Sequence, residues 1–455
     1  MTALVGFGLH PREGVLVMCL GLVLVAGACG AAEAGANPLL SATQAVALAK
    51  KVFAEKNLEK RSALIAQAGA SPIAKPEAIA RWVVPSRYAE MKSEVRHGVP
   101  LPLPAELSST PGAYSIGLPP KYAPNQRWPL IIGLHGGGSG QGDGATQYRS
   151  WHNIPQSGAI FVCPTSLDLD NRFYWRNPKN EELLRILIRT LQSEYPIDTD
   201  RIYLTGYSMG GIGTYYLGPR MSEWWAGIAP GAGSWNAIHW PVLLNTGVYL
   251  LHGKRDLRGP QFTDFPNAER AAESLTALGY SVKLQAVDAD HSQGWTADEA
   301  KHMADWLLTH RRDPFPKRIV LASPCAQDFL VPVAPARPDR WLAITAIGSA
   351  TQPMAALKPG SGGKERTTIA VVMGTLDATW VAQNRLEVTA VNVRSFTVRL
   401  APKLVDFSKP LTVMVNGAEA FRGSVTTSLA YLLNDLCDRG DPSRWYVNEV
   451  AITVP

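Results

Sequence analysis

Ser208 lies in Gly206-Tyr207-Ser208-Met209-Gly210, directly after the strand-like run Arg201-Ile202-Tyr203-Leu204. The pattern fits a strand that turns sharply into a helix with a hydroxyl at the turn, where flanking glycines let neighbouring backbone pass close by. Residues 212–217 have the apolar content of a packed helix start. Such a hydroxyl becomes a nucleophile only when a base takes its proton and an acid orients that base. In the order serine, acid, histidine, the acid is Asp256, reached from the apolar run Val248-Tyr249-Leu250-Leu251 through His252-Gly253-Lys254-Arg255. The base is His291, which follows the next strand-like run, residues 281–287. Both stand at the C-terminal ends of successive strands, where open α/β sheets gather their ligands.

Two other aspartates compete for the acid's role. Asp290 adjoins His291, and neighbours on an extended segment point to opposite sides. Asp264 lies in a proline-flanked loop farther from its strand. Among the other histidines, His302 and His310 fall in a helical stretch with Met303, Trp306 and Leu307, His252 reads as the holder of a strand-end turn, and His135 as the residue that orders its loop. That loop is His135-Gly136-Gly137-Gly138, and it follows the buried run of residues 128–134. A glycine-rich turn after a buried strand presents free backbone N–H groups, which a developing oxyanion requires. That loop, with Gly137 in it, is the expected source of oxyanion donors. Tyr207, Trp295 and Trp175 are the expected pocket residues. Trp151, Trp235 and Trp240 compete with them, against the rule that large aromatics are usually core.

These residues need a scaffold, and the chain supplies one. Strand-like runs at 113–118, 128–134, 159–164, 201–204, 248–253 and 281–287 alternate with helical spacing at 181–195 and 267–278. Such alternation implies a mostly parallel sheet covered by helices on both faces. After Phe315-Pro316 the pattern changes to short alternating strands, as at Leu386/Val388/Ala390, Phe396/Val398/Leu400 and Leu411/Val413/Val415, with a hairpin turn at Asn416-Gly417 and a short helix near 429–436. Near the start, Ser41-Ala42-Thr43-Gln44 reads as a capping box opening a helix.

The segment from about 113 to 308 resembles the α/β-hydrolase superfamily, in its exported poly(3-hydroxybutyrate)-depolymerase-like and feruloyl-esterase-like branch. The resemblance rests on Leu134-His135-Gly136-Gly137-Gly138, on Tyr195-Pro196-Ile197-Asp198-Thr199-Asp200-Arg201-Ile202-Tyr203 leading into Gly206-Tyr207-Ser208-Met209-Gly210-Gly211, on Leu251-His252-Gly253-Lys254-Arg255-Asp256, and on His291. It implies Ser208 as nucleophile, His291 as base and Asp256 as orienting acid. It also implies an oxyanion hole from the Met209 N–H and the loop at Gly136 to Gly138. Leu257-Arg258-Gly259-Pro260 departs from the apolar residue and proline that many relatives place after the acid, so polyester specificity is not transferred. The implied activity is a secreted serine carboxylic-ester hydrolase. A serine peptidase of the prolyl-oligopeptidase type shares the triad but usually carries a long β-propeller ahead of it, and a binding protein on a hydrolase scaffold would lack a triad member.

Composition sets the outer bounds. With 455 residues, 46% hydrophobic and 18% charged, the chain is globular and long enough for two or three domains. A formal charge of +6 without a concentrated basic block gives no reason to expect nucleic acid as a partner. Arg12 followed by the apolar run of residues 15–25 and then small residues reads as a signal peptide, with cleavage after Ala28 or lipidation at Cys29. No later run approaches the roughly 20 apolar residues of a membrane span. Cys163, Cys325 and Cys437 offer no metal spacing and no framework of disulfides, though two of them could pair in an oxidising compartment. No cofactor or metal is expected, and the partner is an ester substrate, small or polymeric. The expected organisation is a signal peptide (1–28), a helical extension (29–110), an α/β-hydrolase domain (111–315) and a β-rich accessory domain (316–455).

Overall fold

The structure, a computed structural model, describes residues 39–455 except 74, 92–93, 110, 138–140, 168–173, 258–262, 292–295, 328–339 and 359–364. The expected signal peptide, Cys29, Gly138 and Trp295 therefore lie outside the described residues.

Among the described residues, nine strands run through the first two thirds of the chain: β1 (Arg96–Leu101), β2 (Gly112–Gly117), β3 (Trp128–Leu134), β4 (Ile160–Pro164), β5 (Ile197–Tyr207), β6 (Gly227–Gly231), β7 (Ala237–Ile238), β8 (Gly247–Gly253) and β9 (Val282–Val287). All but β7 form one sheet in the order β1-β2-β4-β3-β5-β6-β8-β9. β2 is antiparallel to both neighbours, and every pair from β4 to β9 is parallel. This is the α/β-hydrolase arrangement, as the alternation of strands and helices predicts.

The helices are α1 (Ala42–Ala54), α2 (Leu58–Ala66), α3 (Pro76–Ala80), α4 (Gly144–Ser150), α5 (Lys179–Glu194), α6 (Met209–Arg220), α7 (Pro266–Ala277), α8 (Ala297–Leu307) and α9 (Leu429–Arg439). Every residue of β3 is buried, and successive ones serve opposite faces of the sheet. Leu130, Ile132 and Leu134 pack with Leu184 and Leu187 of α5, Tyr215 of α6 and Leu275 of α7. Ile131 packs on the other face with Tyr148 of α4 and Met303 and Leu307 of α8.

β6 reads Gly-Ile-Ala-Pro-Gly, a composition that signals a turn, yet it is a buried central strand. Small residues fit the tight space there: a Cβ on Gly227 would stand 2.9 Å from Leu307 Cδ2, and one on Gly231 would stand 3.0 Å from the Gly206 carbonyl oxygen. Tertiary closeness overrides propensity in this strand.

The C-terminal region is β-rich, as expected. A five-stranded sheet (Arg318–Ser323, Gly374–Ala382, Arg385–Val391, Leu411–Val415, Ala418–Gly423) and a three-stranded sheet (Leu342–Ile347, Val393–Leu400, Asn448–Thr453) enclose Leu376, Leu386, Phe396 and Val413. Asn416 (φ 51°) and Gly417 (φ 84°) make the hairpin turn, both in the left-handed region that this turn type demands.

Residues 39–455 form one compact unit. β7 pairs with Ala326–Gln327 on one side and with Ala356 on the other, so one small sheet draws on both the hydrolase segment and the β-rich region. Cys325, Met354 and Ala356 join the same core as β3 and α5. Arg312 is buried, and its Nη2 donates to Asp200 Oδ1 and Asp441 Oδ2, each at 2.8 Å. At the N-terminal side α1 opens on the expected capping box between Ser41 and Gln44, and α1 to α3 share a core with α9.

Candidate active site

β5 delivers Ser208 to the start of α6 with φ 57° and ψ −113°, a backbone conformation that costs on the order of 1–3 kcal/mol for a residue with a Cβ. Two hydrogen bonds hold it: Ser208 N–H donates to Gly231 O at 2.9 Å, and Ile212 N–H donates to Ser208 O at 2.9 Å. The glycines around it are sterically compelled. A Cβ on Gly206 would stand 2.4 Å from Gly210 O, and one on Gly210 only 2.0 Å from Leu134 O. Both obstacles are backbone and cannot swing aside. Gly210→Ala is therefore expected to lower the unfolding free energy by about 3 kcal/mol, read as a fall in urea midpoint. An unchanged midpoint would show that the turn relaxes freely.

Ser208 Oγ lies 2.8 Å from His291 Nε2, and His291 Nδ1 lies 2.7 Å from Asp256 Oδ2. Asp256 is fully buried. Burial pushes its pKa up, but hydrogen bonds from His252 and His291 outweigh that and hold the carboxyl below its ordinary value. An ionised carboxylate at Nδ1 fixes the proton there and leaves Nε2 to accept from the serine hydroxyl. The ring nitrogens of His291 thus face Ser208 and Asp256, and the acid it meets is neither Asp264 nor Asp290. His302 and His310 lie away from it, His302 on α8 and His310 with its Nε2 at Ser281 Oγ.

The glycine-rich loop after β3 passes the same point. A Cβ on Gly136 would stand 3.4 Å from Ser208 Cβ, and Gly137 has φ 91°, where a Cβ would meet Gln141 O at 2.4 Å. Met209 is the first residue of α6, so its N–H has no intrahelical partner.

His135 locks this loop. It is fully buried, its Nε2 accepts from Ser166 N–H at 3.2 Å, and its Nδ1 therefore donates to Gly136 O at 2.8 Å. Burial lowers its pKa to about 4, against the opposing influence of Gly136 O and Asp143. In the unfolded chain it would titrate near 6.5. Between those values the unfolded state binds the proton that the folded state refuses, so stability present above pH 6.5 is lost as the pH falls toward 4. The loss expected from this residue is on the order of 3 kcal/mol. Urea unfolding of wild type and His135→Gln across pH 7.5 to 4 checks it: the advantage of the wild type should shrink toward pH 4. A constant gap would rule the coupling out.

The expected pocket residues fare differently. Trp175 is fully buried and its indole N–H donates to His135 O at 2.9 Å, so it braces the loop from beneath rather than lining an open pocket. Trp151, Trp235 and Trp240 are also buried in the core. The Tyr207 hydroxyl donates to His291 O and its ring stacks on the imidazole with centroids 5.3 Å apart, which ties the strand before Ser208 to His291. Sequence reasoning missed this brace, and it missed that His252 reaches Asp256. The one available signal was the four-residue spacing from His252 to Asp256 across a strand end.

Among the described residues, no group of three or more His, Cys, Asp or Glu side chains is placed to hold a metal ion. Cys163, Cys325 and Cys437 are free thiols. No helix among the described residues is long and apolar enough to cross a membrane.

No protein-family model matches the chain. Over 117 residues it is 32% identical to a bifunctional acetylxylan esterase/xylanase of Neocallimastix patriciarum, covering 25% of this chain and 17% of that protein. Over 111 residues it is 28% identical to a probable feruloyl esterase C of Aspergillus niger, covering 23% of this chain and 40% of that protein. The chain thus spans less than half the length of these relatives. Among solved structures, a thermostable esterase aligns with a TM-score of 0.36 at 21% identity, over 45% of this chain and 60% of its own. The sheet order is that of an α/β-hydrolase fold, and over these stretches the chain is similar in sequence to esterases.

Proposed function

We propose that this chain is an exported serine hydrolase of carboxylic esters that works through an acyl-enzyme on Ser208. The observation that carries the reading is the unbroken hydrogen-bonded chain from Ser208 through His291 to the buried Asp256. Ser208 Oγ attacks the ester carbonyl while its proton passes to His291 Nε2, and Asp256 stabilises the imidazolium that forms. The Met209 N–H and one from the loop at Gly136 and Gly137 receive the oxyanion. His291 then protonates the departing alcohol, and a water that gives its proton to the same nitrogen releases the acid and restores Ser208.

The relatives are named for acetylxylan and feruloyl ester hydrolysis, and the substrate class proposed here is accordingly an ester on a carbohydrate hydroxyl. Purified protein assayed on p-nitrophenyl esters of graded length, acetylated and feruloylated xylan, polyester film and peptide anilides tests this. Turnover of a xylan ester is the expected result, whereas cleavage of anilides without esters would replace the reading with a peptidase. Residues 1–28 serve export in this reading. The mass of the mature chain, beginning just after Ala28 or carrying lipid on Cys29, checks that step.

A further inference from the structure

Asp256 is held from two sides. His291 Nδ1 reaches its Oδ2 at 2.7 Å, and His252 Nε2 reaches the same oxygen at 3.2 Å. His252 Nε2 also lies 2.5 Å from Thr263 O. Carboxylate and carbonyl are both acceptors, so Nε2 carries a proton whatever the charge of the ring, and one N–H is shared between them. Thr263 in turn donates through Oγ1 to Asp256 Oδ1 at 3.4 Å, and Phe265 N–H donates to Asp256 O at 2.9 Å. The Phe265 ring stands edge-on to the His252 ring with centroids 5.9 Å apart. Every group in this knot is buried except Phe265, which is half-buried. The nearby Arg255 and Asp288 pair with each other at the surface.

A carboxylate swings readily about its last torsion, because that torsion has broad minima. Donors on both oxygens remove the freedom, and an imidazole anchored on β8 is a stiff way to place one of them. We propose that His252 is a positioning residue for the reaction, holding Asp256 Oδ2 in line with His291 Nδ1 and fastening the loop at Thr263 to the end of β8. The inference rests on the reading of Ser208, His291 and Asp256 as the reacting chain.

The test compares His252→Ala, His252→Gln and His252→Asn with wild type on p-nitrophenyl acetate, with Ser208→Ala as the control. His252→Ala is expected to lower kcat by about 10- to 100-fold with KM within about twofold, since a misplacement near 1 Å costs on that order. His252→Gln, whose amide N–H reaches almost as far as Nε2, should recover most of the rate. The low-field proton resonance of the His291–Asp256 hydrogen bond should shift or broaden in His252→Ala and return in His252→Gln. If His252→Ala does not fold, the comparison passes to His252→Asn, too short to reach Oδ2, against His252→Gln: the inference requires the first to be slow and the second fast. Equal rates in those two, or a wild-type kcat and resonance in His252→Ala, would overturn it. Activity persisting in Ser208→Ala would instead sink the underlying reading, so the two failures are distinguishable.

Discussion

Ser208→Ala is expected to leave a folded protein whose ester hydrolysis has fallen by about 10⁶, the scale seen when a serine hydrolase loses its nucleophile. The elbow does not depend on the hydroxyl, because its shape comes from backbone bonds to Gly231 and Ile212 and from the glycines at 206 and 210. Asp256→Asn should approach this loss, at about 10⁴, because an amide at Oδ2 can present N–H to His291 Nδ1 and favour the wrong tautomer. Asp264→Asn and Asp290→Asn should change turnover far less, since His291 Nδ1 faces Asp256 alone among the three. The measurement is kcat on p-nitrophenyl acetate, joined to mass-spectrometric location of an organophosphonate adduct. A label on another serine, or normal turnover in Asp256→Asn with collapse at 264 or 290, would end the assignment.

Asp441→Ala should lower the stability of the whole chain by about 3–5 kcal/mol, the usual cost of stranding one member of a buried ion pair. Asp441 accepts from Arg312 at 2.8 Å, lies 3.6 Å from Arg444, and is 1% exposed. Burial pushes its pKa up, but Arg312 and Arg444 outweigh that and keep it ionised. Its removal leaves Arg312 sharing Asp200 with Ser443 and Arg311, and leaves Arg444 with only the Glu223 carbonyl as a bonded acceptor among the described residues. Urea unfolding followed by fluorescence and circular dichroism reads the effect. Because Arg312 follows α8 whereas Asp441 follows α9, both probes should fall together. If only the β-rich signal is lost while the sheet around Ser208 persists, the two regions are less coupled than their shared core implies.

The site was legible because its chemistry constrains the chain locally. A serine at a strained turn needs Gly206 and Gly210, and an acid and a histidine at successive strand ends need only the strands to be recognised. The hydrolase sheet was legible where strands are apolar and β-branched, as in β3 and β8. It was illegible in β6, where Gly227, Pro230 and Gly231 are chosen by the closeness of Leu307 and Gly206, partners 25 or more residues away in sequence for Gly206 and 80 for Leu307. The buried charges were illegible for a related reason. No local pattern marks Arg312, Asp441 and Arg444 as partners before the fold pairs them, and β7 is two residues long, too short for any periodicity. Trp175 shows the converse limit, for its bulk suggested a pocket while its single N–H fixed it as a prop under His135.

The core shared by α1 to α3 and α9 sets an order of assembly. Ile73 N–H donates to Thr427 Oγ1, and Leu429 N–H donates to Ser71 O, contacts that close a loop of 354 residues in the first case. Closing so long a loop is entropically slow to begin, and local contacts cannot stand in for it. During synthesis α1 to α3 can pack only on one another, with Leu48, Val52 and Ile65 lacking the side of their core that α9 supplies until α9 has left the ribosome. That core therefore stays incomplete until nearly the end of translation, a vulnerable interval in which chaperones would find exposed helices to bind.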